Sequence, residues 1–411
     1  MKPIIRICLL AILLSGTVVS VAQDYVMLSE LSAEALPKIP KKDHGGQLVR
    51  KVLEGDKMWD NQLHKLQKHN FSEKVFIRMM KQLYHNTKNH MVGLRCAYWS
   101  QTPQGDSLLV SGKIYLPKNR ELKGILIANH YTIATDMEAP SNIFQMDCIY
   151  AMKGYAVIMP DYVGYGLSRE QVHPYLHWRS AAQTAWDMLS CMPALLEHYG
   201  YSYPTDLTIV GYSQGAAVAL GLARMIEENH SVSPWTIRHL YAGAGPYDPA
   251  ATYDYCIESD STGIPGAIPM IVMGLSDAYN LNFQLQDFFR EPLLSHYDEW
   301  VSSKEYTVAQ ISYKMGSVRM SELMQPEVLD KNNALAQQLY LALQANSNVG
   351  YALQAPAYFL HSTEDGVVPL INSLNLQEGL PARADLIFDF APYGSHSEAA
   401  MPFVKNVYQA L

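Results

Sequence analysis

The sequence predicts an α/β protein: a mostly parallel sheet with helices on both faces and a helical cap insertion. Three observations carry this. Short apolar runs recur along the chain with helical stretches between most of them. Gly211-Tyr212-Ser213-Gln214-Gly215 sits between one such run and a helix rich in small residues. From 250 to about 350 the alternation stops, and the pattern becomes helical and rich in Met, Tyr and Leu.

At 411 residues, with 48% hydrophobic and 17% charged residues, the chain is an ordinary globular protein with a large core. Its formal net charge of −8 and the lack of any Lys/Arg-rich run beyond Lys41-Lys42 argue against a nucleic-acid partner. Residues 1–22 read as a signal peptide. Lys2 and Arg6 precede an apolar run from Ile7 to Val19, and Ser20-Val21-Ala22 supplies small residues for cleavage. The run is short for a membrane span, an uncleaved anchor being the rival reading. No Cys follows it to accept a lipid. The expected destination is secreted or periplasmic, with no stable membrane span after cleavage. Of five Cys, Cys8 lies in this segment; Cys96, Cys148, Cys191 and Cys256 could pair in three ways, but read as buried small apolar residues.

Residues 23–94 are expected to form a helical N-terminal extension, from apolar spacing in Gln47 to Gln67 and Ser72 to His85. The core follows in two parts, 95–249 and 351–411. Strand pattern begins at Arg95, and Pro103-Gln104-Gly105-Asp106 marks a hairpin turn before Leu108 to Leu116. Buried strands are expected at Gly124 to Ala128, Tyr155 to Met159, Leu207 to Val210, His239 to Ala244, Ala357 to Leu360 and Leu386 to Phe390. Trp178 to Tyr199 and Gln214 to Glu228 read as helices, the first kinked at Pro193. The insertion at 250–350 is expected to lie over the strand ends as a cap; an ordinary helical subdomain is the alternative.

The chemistry is legible in three places. Gly211 to Gly215 is a G-x-S-x-G motif with a strand before and a helix after, the setting in which Ser213 is lifted clear of the sheet as a nucleophile. Glycines on either side leave room for the tight turn. A serine hydroxyl needs a base, and the base an acid. Asp365, in the loop after the strand at Ala357, is the candidate acid, with Glu364 and Asp248 as rivals. His396, in a Gly/Ser loop after the last strand, is the candidate base. The oxyanion is expected to rest on the backbone amides of Gln214 and Tyr131, Thr132 being the alternative to Tyr131. His130 reads as a loop-shaping residue, with a second base as the rival. Asp161 reads as a structural residue fixing the loop beside the nucleophile, and His173-Pro174-Tyr175 as a turn. No cluster of His and carboxylates suggests a metal, and no cofactor is called for.

At these residues the sequence resembles the α/β-hydrolase superfamily, over most of 95–411 apart from the insertion. Within it, Asp161-Tyr162-Val163-Gly164-Tyr165-Gly166, Asn346-Ser347 at the end of the insertion and Ala355-Pro356 are similar to the secretory lipase and esterase group. Asn129-His130-Tyr131 and His361-Ser362 stand where that group more commonly has His-Gly. The resemblance implies an exported enzyme that hydrolyses acyl esters. The expected partner is a small-molecule ester, with acylated sugars or aromatic esters suggested by 27 Tyr. A peptidase on the same frame and a non-catalytic binding protein are the rivals.

Overall fold

Gly124–Asn129 (β4) is six consecutive buried residues, which only a strand covered on both faces can accommodate. Its side chains divide strictly by parity. Ile125 and Ile127 join one apolar cluster, Leu126 and Ala128 another. Tyr155–Pro160 (β5) and Asp206–Tyr212 (β6) divide the same way: Ile158, Leu207 and Ile209 face the first cluster, Val157, Met159 and Val210 the second.

The computed structural model describes residues 25–31, 90–118, 121–142 and 145–411. Nine strands form one sheet in the order β1-β2-β3-β5-β4-β6-β7-β8-β9. Tyr25–Leu31 (β1), Met91–Gln101 (β2) and Ser107–Pro117 (β3) are antiparallel to their neighbours. From β5 onward, through Thr236–Gly243 (β7), Ala357–Ser362 (β8) and Leu386–Ala391 (β9), every pairing is parallel. Helices Trp178–His198 (α1) and Gln214–Glu228 (α2) cover the first face; α1 presents Ala181, Ala185, Met188, Met192 and Leu195 and carries Pro193 without ending. The second face is covered by the final helix, through Ala399, Phe403 and Val407.

The region 23–94, read as helical, contributes β1 and the first residues of β2. β2 begins at Met91 and not Arg95, because β3 offers it a full-length partner from Pro117 back to Ser107, and β1 then occupies its other edge. Backbone pairing of this kind is decided by a distant strand, which side-chain periodicity does not register. The signal-peptide reading at 1–22 and the helical stretches at Gln47 to Gln67 and Ser72 to His85 fall outside the described residues.

Between β7 and β8 run Pro249–Glu258 (α3), Ile268–Tyr279 (α4), Val308–Met315 (α5) and Ala334–Ala345 (α6), with shorter turns among them. They close around a core of their own, with Val272, Leu275, Phe288, Phe289, Ile311 and Leu339 at its centre. Lys304 fastens this insertion to the loop after β5. Its buried ammonium donates to the carbonyls of Gly164 and Gln171, each at 2.6 Å, and to that of Arg169. Two further helices complete the fold, Ile371–Gly379 (α7) and His396–Ala410 (α8).

Candidate active site

A tight strand-to-helix turn lies between β6 and α2. Ser213 sits at φ 57°, ψ −126°, a conformation that costs a non-glycine residue about 1–3 kcal/mol. The neighbouring packing imposes it. A Cβ on Gly211 would lie 2.0 Å from the carbonyl oxygen of Gly215, and one on Gly215 would lie 2.0 Å from that of Asn129. Glycine at both positions lets strand, helix and the 129–132 loop converge on one point. The Ser213 amide donates to Gly243 O on β7 at 2.8 Å, which anchors the turn.

The structure brings Ser213, His396 and Asp365 together. His396 Nε2 is 2.8 Å from Ser213 Oγ, and His396 Nδ1 is 2.6 Å from Asp365 Oδ2. Asp365 has no exposed side-chain surface. Its other oxygen accepts the Val367 and Val368 amides at 2.8 and 2.9 Å. Burial pushes its carboxyl up, but the adjacent His396 and the hydrogen bonds from His361 and His396 outweigh that and hold it well below the usual carboxylate range. Nδ1 of His396 therefore donates to Asp365, and Nε2 is left to accept the serine proton. His396, expected in a loop, is instead the first residue of α8, whose start is secured by a capping box between Ser395 and Glu398.

The rival acids are placed elsewhere. Glu364 is exposed and its backbone amide bonds Ser362. Asp248 caps α3, accepting from Ala251 N at 3.3 Å and from Asn375 at 2.8 Å.

Gln214 opens α2, so its backbone amide precedes any intrahelical acceptor. Tyr131 and Thr132 lie in the loop that the Gly215 contact presses against the elbow. His130 is buried, with Nδ1 2.7 Å from Tyr131 O and Nε2 3.3 Å from Asp161 O; a neutral ring carries one N–H, and the shorter contact at Nδ1 is the hydrogen bond it donates. Burial lowers it to about 4, so it is neutral at physiological pH. Asp161 is wholly buried, accepting from Ser111 Oγ at 2.5 Å and Ser141 N at 2.7 Å. Both residues fix loops through these bonds, none of which runs to Ser213 or His396. Among the described residues, no group of three or more His, Cys, Asp or Glu side chains is arranged to hold a metal ion.

Three contacts escape sequence reasoning. Tyr212 donates from its hydroxyl to His396 O at 2.5 Å, tying the strand that presents the serine to the helix that presents the imidazole. Gln214 Nε2 lies 3.1 Å from His173 Nε2, and His173 Nδ1 lies 2.7 Å from Val163 O. A carbonyl can only accept, so the proton is on Nδ1 and Gln214 donates. His361 lies wholly buried beneath Asp365, at 3.4 Å from Oδ2. In the sequence His361 is visible only as a departure from His-Gly without a stated role, and His173 only as part of a turn.

No family model matches the sequence, and no curated protein is similar enough in sequence to count as a relative. Solved structures are similar in fold. A Legionella pneumophila protein provisionally described as a hydrolase matches with TM-score 0.70 at 16% identity, over 94% of this chain and 96% of that one. The rice cell wall degrading esterase LipA from Xanthomonas oryzae matches with TM-score 0.65 at 19% identity, over 78% and 89%. Candida antarctica lipase A in its closed state matches with TM-score 0.58 at 14% identity, over 78% of each chain. The architecture of this chain is thus the α/β-hydrolase fold.

Proposed function

We propose that the protein is a secreted serine hydrolase of carboxylic esters. The observation that carries the reading is the unbroken relay from Asp365 Oδ2 through His396 to Ser213 Oγ, with spacings of 2.6 and 2.8 Å. In this reading His396 Nε2 takes the Ser213 proton as Oγ attacks the ester carbonyl. The resulting oxyanion is held by the Gln214 amide and the Tyr131 amide, at the positive end of α2. His396 then passes its proton to the departing alkoxide, leaving an acyl-enzyme. Water, deprotonated by the same imidazole, attacks the acyl carbon, and Ser213 recovers its proton as the acid leaves. Asp365, kept ionised by its surroundings, offsets the positive charge on the ring during both halves.

The insertion at 250–350 acts as the substrate-shaping cap in this reading. The favoured substrates are small esters of sugars or aromatic acids or alcohols, and one structural neighbour is by its own description an esterase that degrades rice cell walls. The leader at 1–22 directs export, so the exported protein should begin at Gln23. Two assays test the reading. A fluorophosphonate should label the wild type and not Ser213→Ala. Side by side, p-nitrophenyl esters should turn over faster than aminoacyl-anilides; faster anilide cleavage would make the enzyme a peptidase. Labelling that survives Ser213→Ala would overturn the mechanism.

A further inference from the structure

His361 lies one residue before the end of β8, inside the protein with no exposed surface, and all its polar neighbours can be accounted for. Its Nδ1 is 2.6 Å from Ser373 Oγ on α7. Its Nε2 is 2.9 Å from Val368 O and 3.4 Å from Asp365 Oδ2. Val368 O can only accept, so Nε2 carries the hydrogen, and the Ser373 hydroxyl can donate to Nδ1. The single Nε2–H is then shared between a carbonyl and the same carboxylate oxygen that receives His396. Asp365 Oδ1 is meanwhile held by the Val367 and Val368 amides. Both carboxylate oxygens are thus fixed from outside the relay.

We infer that His361 is a positioning residue: its Nε2–H holds Asp365 in the rotamer that meets His396 and withdraws electron density from Oδ2. This rests on the triad reading above. The titratable groups facing Asp365 are His361 from β8, His396 from α8 and Tyr212 from β6, whose hydroxyl is pushed up by burial and then by the Asp365 charge. Neutral Ser373 is what faces His361 on the side of α7. The sign follows. Removing a donor from Oδ2 makes the carboxylate a stronger acceptor, so the Asp365–His396 pair binds a proton more readily and loses the active form at a higher pH. The acid limb of kcat/KM should move upward.

Glutamine offers a donor and an acceptor at a reach similar to imidazole; leucine offers neither. In His361→Leu, kcat/KM should fall about tenfold and the acid limb should rise by about half a pH unit. His361→Gln should restore most of both. The pH profile of the fluorophosphonate labelling rate is the readout, since its midpoint does not depend on the folded fraction. If His361→Leu yields no folded protein, His361→Met serves. Its thioether fills the site without offering an N–H, and it should shift the limb the same way. A limb unmoved in His361→Leu, or in His361→Met where that variant must stand in, overturns the inference, as does a His361→Gln profile that matches the donor-free variant. The two readings fail separately. Labelling that persists in Ser213→Ala overturns the triad and His361's role with it, whereas an inactive Ser213→Ala beside an unmoved His361→Leu profile overturns only the latter.

Discussion

Ser213 holds its positive φ because two glycines, a β7 carbonyl and the 129–132 loop leave the chain no other route. The strain is local, and it presents the Ser213 Oγ to an imidazole 2.8 Å away. The charge on that imidazole is answered by Asp365. Asp365→Asn keeps the shape but removes the acceptor that fixes the His396 tautomer, and kcat should drop by about 10⁴ with KM little changed. A fall of less than tenfold would mean that the carboxylate is not the relay's third member. Tyr212 acts at one remove, through the His396 carbonyl. In Tyr212→Phe the ring remains packed on Phe403 but the tether is lost. The expected result is a kcat decrease of about three- to tenfold, in keeping with a net hydrogen bond of about 1 kcal/mol, at near-constant KM. Steady-state kinetics on one ester separates the two variants.

At the scale of the element, the elbow, the acid loop and the start of α8 were legible to different degrees, for a physical reason. A sharp strand-to-helix turn must be written in the residues that make it, and Gly211 and Gly215 are there because no side chain fits. Gly215→Ala should yield little folded, active protein, because its Cβ would meet a backbone oxygen that cannot move aside. Gly366→Ala, in the acid loop but with open space around its Cβ position, should be tolerated. Circular dichroism and ester turnover on the two would expose an error in either. Asp365 was readable from its place after a strand, but its two amide donors and its histidine neighbour come from chain geometry. His396 could be singled out as the candidate base, yet not as a helix start, although Ser395 and Glu398 carry the capping pattern. β1 was not readable at all, since it exists to pair with the free edge of β2. Lys304 escaped for a similar reason: its three carbonyl partners lie more than 130 residues away in the chain. Lys304→Met should strand those acceptors and loosen the insertion from the 164–171 loop, at a cost of about 3 kcal/mol. Urea unfolding would measure it, and an unchanged midpoint would show that the tether is dispensable.

For the whole molecule, acid tolerance depends on buried histidines outside the relay. Burial lowers His130 to about 4 and His173 to about 3, and burial together with Arg179 lowers His177 to about 4. An unfolded histidine takes its proton near 6.5. Between those values the unfolded chain binds more protons than the folded one, so this contribution is intact above about pH 6.5 and is lost as the pH falls toward 4. Asp187 works the other way: raised to about 6 by burial, it takes up its proton first in the folded state. A single-site difference isolates the histidine effect. Between pH 7 and pH 5, His177→Gln should lose about 2 kcal/mol less stability than the wild type. Equal losses in the two proteins would show that His177 is not held neutral. The route by which the relay is assembled has its own consequence. The imidazole and the hydroxyl are 183 residues apart, and between them lie the entire insertion and the last two parallel strands. Long-range closure of this kind comes late on a folding pathway. During refolding, ester turnover should therefore lag behind the recovery of far-ultraviolet signal, so that catalysis serves as a clock for the final step of chain assembly.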